Sequence, residues 1–204
     1  MRKLTGAAFI SLDGVIQAPG GPDEDRSKGF PHGGWLAPFN NDALVNETVG
    51  ALFTPPYALL LGRRTYDIFA GYWSHVVGPE AEFGKALTAA EKHVLTRSDA
   101  TLEWDNSHRL ADIDSVTALK TTEGPDLLIQ GSSTLYPQLL AAGLIDRLIL
   151  MIFPVVPGEG KRLFDGAGSA RMLRALDQKI SVNGVIAAHF EPATAIKTGT
   201  VGQT

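Results

Sequence analysis

The sequence predicts an α/β domain in which a central, mostly parallel sheet is flanked by helices and closed by a C-terminal antiparallel hairpin. Three observations lead there. Residues 126–164 read as a strand, a glycine turn, a short helix and a second, very apolar strand, and two strands joined by one helix lie parallel. A second strand–glycine–helix junction falls at residues 57–65. Near the C-terminus the hairpin dipeptide Asn183-Gly184 separates two strand-like runs.

In chain order, residues 4–10 form a small-residue apolar strand that ends in the turn Ser11-Leu12-Asp13-Gly14. Residues 17–34 carry glycine, proline and charge without a period or an apolar stripe. They predict a long loop, mobile when the site is empty and able to close over it as a lid. Asn40 or Asn41 caps a helix to about Leu52, with Leu44, Val45, Thr48, Val49 and Leu52 inward, and Pro55-Pro56 ends it. Residues 57–61 are a buried strand, and Gly62-Arg63-Arg64-Thr65 opens the next helix. Residues 71–85 are irregular, with no element assigned. Residues 92–96 form a strand leading to Arg97-Ser98, and residues 113–121 a helix turned by Gly124-Pro125.

In the central unit, Leu127-Leu128-Ile129 stops at Gly131, and Ser132-Ser133-Thr134 offers hydroxyls and backbone N–H groups where a helix over 134–142 begins. Gly143 suits a left-handed C′ position, and residues 148–156 form a buried strand. A glycine-rich turn at 158–164 precedes the hairpin strands 171–181 and 185–190. Residues 1–191 read as one domain, and 192–204 as a loose polar tail.

Composition narrows the function classes. With 204 residues, 44% hydrophobic and 20% charged, the chain buries one good core. A net charge of −4 argues against nucleic-acid and anionic-membrane surfaces. The absence of cysteine excludes disulfide and thiolate chemistry, and the five histidines show no H-x-x-x-H or H-x-H spacing, so no metal site is expected. The N-terminal run is too short and interrupted for a signal peptide, which makes the cytoplasm the expected location. A homodimer built through strand 148–153 and the C-terminal hairpin is compatible with the sequence.

No G-x-G-x-x-G opens a helix after a strand, and the positions about twenty residues beyond Gly131 are Met151 and Ile152 rather than an acid for a ribose hydroxyl, so a standard Rossmann NAD site is not expected. Instead, phosphate-friendly groups stand at three strand ends: Gly62, Arg63, Arg64 and Thr65; Thr96, Arg97 and Ser98; and Gly131, Ser132, Ser133, Thr134 and Leu135. A nucleotide with several phosphates fits them, and Arg63, Arg64 and Arg97 suit the 2′-phosphate of NADP. The plainer alternative is a set of capping turns and surface arginines. Trp35, Phe39 and Trp73 are candidates to stack on a planar substrate or to fill the core. A different class uses Ser133 as a hydrolase nucleophile, with His32-Gly33-Gly34 as oxyanion loop and Asp165 and His189 completing a triad. Against it, Leu135 replaces the second elbow glycine.

Four segments together, Ser11-Leu12-Asp13-Gly14, Gly62-Arg63-Arg64-Thr65-Tyr66, Leu128-Ile129-Gln130-Gly131-Ser132 and the run from Pro154 to Phe164, resemble successive signatures of the dihydrofolate-reductase-like superfamily. The nearer likeness is to the reductase domain of the bifunctional riboflavin-biosynthesis deaminase/reductase, over residues 3–191. This resemblance implies a three-layer fold, NADPH across the strand ends, and hydride transfer to a small organic substrate, with heterocycles among the candidates. It implies that Gly62, Arg63, Arg64 and Thr65 take the 2′-phosphate side and pyrophosphate, Thr96, Arg97 and Ser98 the adenosine end, and Ile129 with Gly131 to Leu135 the pyrophosphate. For a catalytic carboxylate it points to the helix after the first loop, where Asp42 and Glu47 both stand, and Asp13 is a further candidate. Asp42 as a helix cap, Asp13 as a turn brace, and a nucleotide-binding module without chemistry are the competing readings.

Overall fold

The structure, a computed structural model, describes residues 1–165 and 170–202. Eight strands form one sheet: β1 (Leu4–Ser11), β2 (Ala58–Gly62), β3 (Lys92–Leu95), β4 (Ser107–Leu110), β5 (Leu127–Gln130), β6 (Arg147–Phe153), β7 (Arg171–Ile180) and β8 (Ile186–Ala195). Their order is β4-β3-β2-β5-β1-β6-β8-β7. The first six are mutually parallel, while β8 runs antiparallel to β6 and β7.

Period-two alternation sends successive side chains to opposite faces, and helices cover both. On one face Ala7, Leu59, Leu61, Val94, Leu128 and Ile149 lie under Tyr66 of α2 (Arg63–Trp73) and Leu87 of α3 (Ala81–Ala89). Farther along it, Met151, Phe153 and Ala187 pack on Leu44 and Val45 of α1 (Ala43–Leu52). On the other face Ala8, Leu60, Ile129, Leu148 and Leu150 lie under Val116 of α4 (Ile113–Thr121) and Leu135, Tyr136 and Leu139 of α5 (Leu135–Ala141). Thus α1, α2 and α3 serve the connections that step outward from β1, and α4 and α5 those that step back. The segments leaving β1 and β5 depart to opposite faces, which opens a crevice at the C-terminal ends of these neighbouring strands.

The fold confirms the expected class and alters several elements. Residues 71–85 are not irregular throughout: α2 extends to Trp73, and after a 3-10 turn α3 begins at Ala81. Gly84 lets α3 approach closely, since a Cβ there would lie 2.7 Å from the Trp73 carbonyl oxygen. The edge strand β4 has no counterpart in the sequence reading, because Ser-His-Arg-Leu lacks an apolar run. α1 is capped by Asp42 rather than Asn40 or Asn41, β6 ends at Phe153, and β8 continues to Ala195, past the start of the expected tail. Because β6 lies between β1 and β8, its backbone is already paired on both sides, which leaves it no free edge for backbone pairing with a second copy. Among the described residues, no helix is long and apolar enough to cross a membrane.

The loop over residues 17–34 departs most from expectation. It buries Ala18 and Phe30, with Trp35 buried just beyond it, and its buried polar groups find partners. Gln17 Nε2 donates to the Asp25 and Ser27 carbonyls at 2.9 and 3.0 Å, and Trp35 Nε1 donates to the Gln17 carbonyl at 2.8 Å. Scattered single residues rather than a periodic stripe supply its core, so a periodicity reading passes over them.

Candidate functional site

At the C-terminal ends of β2, β3 and β4 lies a cleft of about 520 Å³. Of the three predicted strand ends it gathers Gly62 and Arg63, Thr96 and Arg97, and Thr134 and Leu135; Asp112, Asp114 and Gln138 complete its polar wall. α2 starts behind Gly62 with no side-chain cap, leaving first-turn N–H groups for a ligand or water. Arg63 is partly committed, with Nε donating to Asp67 at 2.8 Å and Nη1 to the Ala100 carbonyl at 3.0 Å. Arg97 is exposed, and its guanidinium makes no ion pair among the described residues. Two carboxylates oppose these cations: Asp112, which caps α4 by accepting from Ser115 N at 2.8 Å, and the exposed Asp114.

The remaining predicted residues build the walls rather than line the cleft. Gly62 N donates to Ser132 Oγ and Ser132 N to Thr65 Oγ1, each at 3.0 Å, which bolts the α2 start to the turn after β5. That turn needs left-handed backbone at Gly131 (φ 67°) and Ser132 (φ 54°). Ser98 braces its own turn, donating from N to Thr96 Oγ1 at 3.1 Å and accepting from Ala100 N at 3.2 Å. Ile129 is a correction: its side chain is fully buried under α5, so it meets no cleft. Arg64 is another. It reaches away from the cleft to Asp25, donating from Nε at 3.1 Å and also from Nη2.

Both candidate acids are engaged elsewhere. Asp42 is 2% exposed and accepts from Leu44 N, Val45 N and Asn183 Nδ2 at 3.0, 3.2 and 2.9 Å. Burial opposes its ionisation, but hydrogen bonds from Ser181, Asn183 and the α1 start outweigh it and hold the carboxyl below its ordinary range. Asp13 behaves likewise: against the cost of burial, bonds from Ser11 Oγ at 2.6 Å and Gly158 N at 3.1 Å, with Arg162 beside it, lower its pKa. Carboxylates held ionised and fully bonded are poor proton donors at neutral pH, and neither lines the cleft. Glu47 pairs with Lys179 on the surface.

The hydrolase constellation does not assemble. Gln130, Ala7, Ile149 and His189 occupy one row across β5, β1, β6 and β8, so His189 lies three strand spacings, about 14 Å, from β5, and Ser133 lies beyond that strand's end.

A family model of the RibD C-terminal domain matches residues 2–186. The chain belongs to that family. The match takes in β1 to β7 and stops at the first residue of β8, so it includes the strand ends that carry the cleft. Among curated proteins, the chain is 29% identical over 133 residues to the uncharacterized protein YyaP of Bacillus subtilis, covering 63% of this chain and 70% of that one. Two solved structures share the fold. A putative riboflavin biosynthesis protein from Shewanella superposes with a TM-score of 0.70 at 19% identity, over 94% of this chain and 99% of the other. Dihydrofolate reductase from Enterococcus faecalis, complexed with NADP(H) and RAB-propyl, gives 0.56 at 17% identity, over 93% and 96%. The RibD C-terminal domain here therefore has a dihydrofolate-reductase-like fold.

The sequence reading missed Asp112, Asp114 and Gln138. Asp112 stands three residues before Ser115 at the start of a helix that was expected, so a capping signal was present to be read. Asp114 and Gln138 are exposed polar positions on helices, and only their placement at the cleft distinguishes them.

Proposed function

We propose that this protein is an NADPH-dependent reductase that passes hydride to a small organic substrate, with heterocycles among the candidates. One observation carries the reading: an uncapped helix start at Gly62 shares a cleft with Arg63 and Arg97 at the C-terminal ends of parallel strands. That donor set fits a phosphorylated dinucleotide. Arg97 and the remaining Nη2 of Arg63 would hold the 2′-phosphate, and the first turn of α2 would take a backbone phosphate. Asp112 and Asp114 would accept from ribose hydroxyls. Bound there, NADPH supplies the hydride; the protein binds, orients and excludes water. Membership in the RibD C-terminal domain family and structural likeness to a dihydrofolate reductase complexed with NADP(H) support the same reading. We assign neither Asp42 nor Asp13 a proton-transfer role, because both are held ionised by structural partners.

Titrating the protein with NADPH and NADH tests the proposal, with tryptophan fluorescence as readout. NADPH is expected to bind at micromolar concentration and more tightly than NADH. Equal affinities, or no binding of either, would reject the cofactor assignment.

A further inference from the structure

Asp25 lies at the centre of a contact that the nucleotide cleft does not explain. Its side chain is 9% exposed and receives two cations from different parts of the fold: Arg64 from the first turn of α2, and Lys161, whose Nζ lies 2.6 Å from Oδ2. Ser27 N adds a bond to Oδ1 at 3.0 Å. Three segments, each following the C-terminal end of a strand, thereby meet at one carboxylate. They are the loop after β1, the helix after β2 and the glycine-rich turn after β6.

The loop and the turn are also joined by backbone. Gln17 Oε1 accepts from Lys161 N at 3.0 Å, Ile16 N donates to the Lys161 carbonyl at 2.8 Å, and Leu163 N to the Gly14 carbonyl at 3.0 Å. A Cβ on Gly160 would come within 2.8 Å of the Phe30 ring, so the turn fits closely against the loop. Arg63 and Arg64 are consecutive in the first turn of α2. One lines the cleft and the other grips the loop.

We propose that Asp25, Arg64 and Lys161 form a latch that holds the 17–34 loop closed over the β1 side of the strand ends. The start of α2 connects occupancy of the cleft to that latch. Arg64 is then a positioning residue, not a nucleotide ligand. Releasing the loop carries Asp25 away from both cations and from the fold, so the lost ion pairs oppose opening and the latch sets how readily the loop opens. The connection to the cleft rests on the NADPH reading; the latch itself does not.

Hydrogen exchange on the full chain, read for wild type, Asp25→Asn, Lys161→Met and Arg64→Met with and without NADPH, tests the latch. In the empty protein, exchange across residues 17–34 should rise about tenfold or more in all three variants, while β1 and β5 keep their protection. Asp25→Glu should restore most of the loop's protection. Adding NADPH should slow the wild-type loop further and leave the Asp25→Asn loop unchanged. Unaltered exchange across 17–34 overturns the latch, as does equal acceleration in β1 and β5, which would mean only a general loss of stability. A large loss of NADPH affinity in Arg64→Met, with loop exchange as in wild type, overturns it by making Arg64 a ligand. If wild type binds no NADPH, the reductase reading fails, and exchange in the empty proteins still supports or overturns the latch.

Discussion

Replacing Arg97 by alanine tests which cation on the strand ends recognises phosphate. Arg64 is bound to Asp25 and Arg63 to Asp67 and the Ala100 carbonyl, whereas the Arg97 guanidinium faces the cleft without an ion-pair partner among the described residues. A hydrogen bond to a charged group contributes roughly 1.5–3 kcal/mol, and each 1.4 kcal/mol is a decade of affinity, so Arg97→Ala should weaken NADPH binding roughly 10- to 100-fold. NADH lacks the 2′-phosphate and should change by less than about twofold in Arg97→Ala, and Arg64→Ala should weaken NADPH far less than Arg97→Ala does, because the Arg64 guanidinium is bound to Asp25 rather than presented to the cleft. The contribution of Arg97 should shrink with added salt, since the side chain is exposed. Calorimetric titration of the three proteins with both nucleotides at low and high salt measures all of this. The reasoning is refuted if Arg97→Ala weakens NADH as much as NADPH, or if Arg64→Ala weakens NADPH as much as Arg97→Ala.

Two further outcomes follow from the core. A Cβ on Gly6 would lie 2.6 Å from Tyr136 Cε1 and 3.1 Å from Leu148 Cδ2, so Gly6→Ala should overpack this interior and cost about 1–3 kcal/mol, read as a lowered thermal midpoint; an unchanged midpoint would show that Tyr136 can shift. Lys92 is fully buried over the Trp104 ring, and its Nζ donates to the Leu87, Thr88 and Ala90 carbonyls at 2.9, 2.8 and 2.7 Å, closing the end of α3. Burial lowers its pKa to about 8, with Asp105 opposing. Between that value and the ordinary lysine range near 10.5 the unfolded chain binds the extra proton, so this group makes stability rise with pH there. Denaturant midpoints should show that rise in wild type and lack it in Lys92→Met, and parallel pH profiles would contradict it.

What the sequence settles by itself is whatever depends on neighbours along the chain. The apolar runs at Leu127-Leu128-Ile129, residues 57–61 and residues 148–153 mark strands buried on both faces, because only such strands are apolar at every position. Gly131, Gly143 and Asn183-Gly184 mark turns because their backbone conformations exclude most other residues, and Gly131, Gly143 and Gly184 all adopt positive φ. Together these establish a parallel α/β sheet with a closing hairpin and place Gly62, Thr96 and Gly131 at strand ends.

Tertiary structure decides the choice among equivalent charges. Arg63, Arg64 and Arg97 look alike in sequence, yet the cleft keeps the first and last while Asp25, 39 residues before Arg64, takes the second. Asp42 and Asp13 each admit two readings in sequence, acid or brace, and they are braces because Asn183 and Gly158, more than 140 residues away, supply donors to them. Ile129 went into the core because β5 is buried on both faces, and only the turn after the strand, from Gly131, reaches the site wall. Local sequence dictates which backbone a segment adopts, since steric and burial preferences act on adjacent residues. Which partner a charge meets depends on distances that exist only after the sheet has brought remote segments together.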